Sequence, residues 1–95
     1  MAVPAQTFAF TVRGPIARAD LPGLCDRVCA LLREHAPGIA LCDVSSVQPD
    51  AVTVDALARL QLAARRHGCQ VRLRKASSGL LELVAFMGLL DVLPD

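Results

Sequence analysis

The chain has 95 residues, 54% of them apolar, with three phenylalanines, no tryptophan or tyrosine, and a formal charge of +1. That length supports one domain with a single core and needs neither disulfides nor a structural metal. A near-neutral balance with no basic stripe argues against a nucleic-acid partner.

Thr7–Arg13 alternates, with Phe8, Phe10 and Val12 on one side and Thr7, Thr11 and Arg13 on the other, which predicts a half-buried strand ended by Gly14-Pro15. Asp20 then reads as the cap of a helix to about Ala36, with Pro22 tolerated in its first turn. Its apolar stripe is Leu21, Leu24, Cys25, Val28, Leu31 and Leu32. Pro37-Gly38 turns the chain into Ile39–Val44, a short apolar run expected to be a central strand. A second helix opens at Asp50, runs through Leu57 and Leu60 to His67, and stops at Gly68. Gln70–Arg74 alternates again, Val71 and Leu73 inward, Arg72 and Arg74 outward. Ser77 or Ser78 starts a last helix, Leu80–Leu90, ending near Pro94.

Strands alternating with helices imply parallel neighbours joined by right-handed crossovers. Two of the three strands show a polar side, so one face of the sheet is expected to be less covered than the other. The first six residues lack the basic start and apolar run of a signal peptide, and the apolar run Ser77–Leu90, broken by Glu82, is too short to span a bilayer. The expectation is a cytoplasmic protein without direct membrane insertion, its four cysteines reduced.

The segment Ile39–Leu60 carries the most specific signal: a strand ending near Asp43, a polar turn, then a helix opening Asp50-Ala51-Val52-Thr53. It resembles the central segment of STAS domains, the family that includes anti-sigma-factor antagonists. The resemblance extends from Phe8 to Leu93 and implies a small, mostly parallel sheet with helices mainly on one face. Typical members add an N-terminal strand, for which Met1–Gln6 is too short, so that strand is expected to be missing or reduced to a stub. In the family an Asp-Ser-Ser-Gly-type turn carries the phosphorylated hydroxyl. Aligning Asp50 with that Asp requires a one-residue deletion before it, puts Ala51 at the usual acceptor position, and leaves Thr53 as a displaced candidate acceptor. The alternative for Thr53 is an ordinary first-turn residue. By resemblance, Asp50, Ala51, Val52, Thr53, Val54 and Asp55 open a partner-binding face that continues to about Arg65.

Other chemistry is thinly represented. Asp43, Asp50 and Asp55 at one rim would suit Mg²⁺, but solvated acids at a loop and a helix start explain them as well. No Gly-rich phosphate cradle or zinc knuckle is present; the cysteines read as small core hydrophobes, and His35 and His67 as residues at helix C-termini. Arg65, Arg66, Arg72, Arg74 and Lys75 form a local basic excess without aromatic support for stacking bases. The last helix is apolar nearly all round. Phe86, Met87, Leu89 and Leu90 form a second candidate interface, for a partner or for self-association, unless the C-terminal tail or a neighbouring helix covers them.

The leading expectation is therefore a non-enzymatic interaction module resembling an anti-sigma-factor antagonist, with a kinase-type anti-sigma factor as partner and no cofactor or metal. The alternative is the STAS-type subunit of a phospholipid-transporting ABC complex, bound to its ATPase. An enzyme gathering Asp43, Asp50, Thr53 and Ser45 or Ser46 around a nucleotide or metal is the weakest reading.

Overall fold

The computed structural model describes residues 6–93. The expected N-terminal stub lies, except for Gln6, outside them. The elements are β1 (Gln6–Arg13), a 3-10 turn (Arg18–Asp20), α1 (Leu21–His35), β2 (Gly38–Ser46), α2 (Ala51–Arg66), β3 (Cys69–Arg74) and α3 (Ser78–Phe86). The three strands form one parallel sheet in the order β1-β2-β3, with Phe8 beside Ala40 and Ala40 beside Val71.

Strand order equals chain order, so both crossovers turn the same way and place α1 and α2 on one face. Burial follows from that. Val12, Ala40, Cys42, Val44, Cys69, Val71 and Leu73 point into the helix layer and are buried. The opposite face carries Thr7, Ala9 and Thr11, exposed, beside half-buried Ile39, Leu41 and Asp43. Leu32, Leu57, Leu60, Leu80 and Val84 close the core from the helix side. The expected one-sided α/β architecture is present. Gly38 is required where the chain enters β2, because a Cβ there would collide with the Gln6 carbonyl of β1.

Two boundaries differ from the sequence reading. Asp20 does not cap α1 with its side chain. The 3-10 turn runs straight into the helix, Asp20 already has helical angles (φ −83, ψ −15), and its carboxylate accepts from the Ala17 N–H at 3.0 Å. At the other end of the chain, α3 stops at Phe86 instead of Leu90. Gly88 takes φ +73, its N–H donates to the Ala85 carbonyl at 3.0 Å, and the Leu89 N–H donates to the Val84 carbonyl at 2.9 Å. That pair of bonds is the left-handed helix stop, and it turns Leu89 and Leu93 back toward the core.

Candidate docking surface

The turn from β2 into α2 is organised by its own acids. Asp50 accepts from the Thr53 N–H at 2.8 Å and supplies the N-cap read from the sequence; that bond holds its carboxyl below the usual carboxylate range. Asp43 accepts from the Ser45 backbone N–H at 2.9 Å and from the Ser45 hydroxyl at 2.7 Å. Those bonds lower its pKa, and Lys75, 3.8 Å away, adds to the effect. Asp55 pairs with Arg18 at 3.4 Å and with Arg59, one turn further along α2, at 3.2 Å. Each carboxylate is thus engaged separately. Among the described residues no three His, Cys, Asp or Glu side chains gather as a metal site, so the convergence of Asp43, Asp50 and Asp55 on one cation is not formed.

The six positions assigned to partner binding divide by helix geometry. Asp50 and Ala51 are exposed, Val52 and Asp55 half-buried, and Thr53 and Val54 fully buried. Thr53 shares the inward stripe with Leu57, Leu60 and Ala64, and its Oγ1 is buried without a hydrogen-bond partner. In this conformation that hydroxyl is out of a kinase's reach. Val54 packs in the core, so a charge placed there would act on folding before it acted on docking.

The outward face of α2 runs instead through Ala51, Asp55, Arg59, Leu62 and Arg66, at spacings of three and four residues. Leu62 is 53% exposed, a large apolar side chain in the middle of a charged ridge. Between this ridge and α1 lies a groove of ≈ 260 Å³ lined by Cys25, Cys29, Arg59, Leu62, Ala63 and Arg66. Sequence reasoning passed over Leu62, although a position two residues after the buried Leu60 falls on the far side of a helix. Burial, then the neighbouring Cys29, raises the Cys25 pKa, and burial pushes Cys42 up to about 12. Both thiols stay protonated near neutral pH and are poor nucleophiles. A second cleft, ≈ 470 Å³, lies between the end of β1 and the start of α1; its polar lining includes Thr11, Arg13, Asp20 and Arg27.

The end of α3 is the other exposed apolar area: Phe86 is 89% exposed, Leu90 56% and Met87 40%. Leu89, expected in the same patch, is half-buried and packs on the core. The described C-terminal segment, to Leu93, therefore folds back without covering Phe86. No described helix is long and apolar enough to cross a membrane.

Gln61 was not singled out by sequence reasoning. It is fully buried, and its side-chain amide lies along the outer edge of β3. Nε2 donates to the Val71 carbonyl at 3.0 Å and to the Val92 carbonyl at 2.6 Å, while Oε1 accepts from the Val71 N–H at 2.7 Å. One side chain thus stands in for a neighbouring strand and ties down the C-terminal segment. Its only sequence signal is a polar residue among Leu57, Leu60 and Ala64. Comparison with protein-family models and with curated proteins finds no match for this sequence.

Proposed function

We propose that this chain is a non-enzymatic docking module resembling an anti-sigma-factor antagonist, acting in the cytoplasm on a kinase-type anti-sigma factor through the outward face of α2. The observation that carries the reading is the ridge Ala51, Asp55, Arg59, Leu62 and Arg66. It starts at the capped turn where the STAS resemblance places docking, and it presents an apolar anchor within charged surroundings. Ala51 has no hydroxyl and Thr53 faces inward, so binding here would not be switched by phosphate at the usual position. The separate engagement of Asp43, Asp50 and Asp55 favours an interaction module over an enzyme.

A second reading, the subunit of a phospholipid-transporting ABC complex, is favoured by Phe86, Met87 and Leu90, since permanent interfaces are more apolar than transient ones. Affinity capture of the tagged chain from native lysate, with mass spectrometry of the co-purifying proteins, separates the two. A histidine-kinase-like ATPase supports the first reading and an ABC ATPase the second; a metabolic enzyme in stoichiometric amount would overturn both.

A further inference from the structure

The two edges of the sheet are treated differently. At β3, Gln61 occupies the outward backbone groups of Val71. At β1, among the described residues, the chain pairs with β2 alone and nothing bonds its outer side. Edges are normally protected by proline, lysine or a bulge. Residues 6–12 contain neither proline nor a charge, and the register irregularity comes only after Thr11.

The sequence of this open edge is self-complementary. Thr7-Phe8-Ala9-Phe10-Thr11 reads the same in both directions about Ala9. Backbone direction is fixed by the parallel ladder: the Gln6 N–H donates to the Pro37 carbonyl at 3.0 Å, toward β2. Alternation then turns Phe8 and Phe10 backbone groups toward β2 as well, leaving those of Thr7, Ala9 and Thr11 facing outward. A two-fold axis through Ala9 would therefore set Ala9 against Ala9, and Thr7 against Thr11 of the second copy, in hydrogen-bonded pairs. Phe8 would face Phe10 of the second copy in the closer, non-bonded pair. Aromatic and Thr–Thr cross-strand pairs are favourable, and no like charges oppose each other along this stretch. Phe8 and Phe10, two of only three aromatic residues in the chain, are half-buried with rings 6.5 Å apart, so pairing would cover surface the monomer leaves open.

We infer that β1 is a homodimerisation edge: two copies join antiparallel through Thr7–Thr11 into one continuous sheet, with both helix layers on the same face. This surface is separate from the α2 ridge and does not depend on the function proposed for it.

Sedimentation equilibrium on the full chain over a concentration series tests the inference. The wild type should fit a monomer–dimer equilibrium. Ala9→Lys sets two lysines opposite each other at an exposed position and should raise the dimer dissociation constant at least about tenfold, with the circular dichroism spectrum unchanged. T7K/T11K and T7D/T11D should each be monomeric alone and form a mixed dimer when combined, a result that misfolding cannot produce. A wild type that is monomeric at every concentration overturns the proposal, as does a dimer indifferent to Ala9→Lys or a failure of the two charged variants to pair. Dimerisation that appears only after deletion of residues 1–5 would assign the edge to the chain's own N-terminus and also overturn it.

Discussion

Replacing Gln61 with leucine tests how β3 and the C-terminal segment are held. Leucine has nearly the same bulk and suits the surrounding apolar stripe, so packing changes little and the effect isolates the polar contacts. The substitution removes three hydrogen bonds and leaves the Val71 N–H, the Val71 carbonyl and the Val92 carbonyl without their partner. A buried group left unpaired costs about 1–3 kcal/mol. Water can reach part of an edge strand, and the added apolar area returns some stability. A net loss of about 3 kcal/mol is expected, out of about 5–15 kcal/mol for a domain of this kind. Thermal unfolding should then shift down by roughly 12–24 °C, from about 4–8 °C per kcal/mol. Urea unfolding would supply the free energy, and hydrogen exchange at Val71 would locate it, with that amide losing protection out of proportion to the β2 amides. A loss below about 0.5 kcal/mol, within the range of neutral surface changes, would refute the idea that this amide replaces a strand.

Asp50→Ala should cost about 1 kcal/mol at neutral pH through loss of the α2 cap. Its pKa is lowered in the folded state, so the cap's contribution is complete above the ordinary carboxylate pKa and disappears as pH falls through the lower folded value; wild type and variant should converge in acid when unfolding is followed against pH. Thr53→Val removes a buried hydroxyl that makes no close hydrogen bond but helps hold the Asp50 carboxyl low, so the two effects oppose each other and chemical denaturation should change by less than about 1 kcal/mol. Gly38→Ala drives a Cβ into the Gln6 carbonyl, so β1 must shift off β2; a loss above about 2 kcal/mol is expected from the same measurement.

The parts legible in the sequence are those set by local chemistry. The Asp50 cap and the Gly68 stop, at φ +75, bracket α2 because each acts on its own helix end. The alternation in β1 and β3 reported the open face of the sheet because burial on one side only leaves a period of two. The early stop of α3 had a signal in Gly88, but the apolar residues around it read as one uninterrupted run. Which turn-region residues face outward was less accessible. The family resemblance treats Asp50 to Asp55 as one docking segment, whereas a helix separates neighbours by about 100° and places Thr53 with Leu57. The role of Gln61 could not be read at all, because its target is an edge defined only once β3 and the C-terminal segment have come together.

The central claim is that the outward face of α2, and not the end of α3, is the functional docking surface. The most direct test is the dissociation constant of the captured ATPase for two folded variants, Leu62→Glu and Phe86→Glu, each removing one exposed apolar anchor. The account predicts that Leu62→Glu weakens binding by at least about thirtyfold, the loss of an anchor worth roughly 2 kcal/mol, while Phe86→Glu stays within about threefold of wild type. The reverse pattern would contradict it and move the interface to α3.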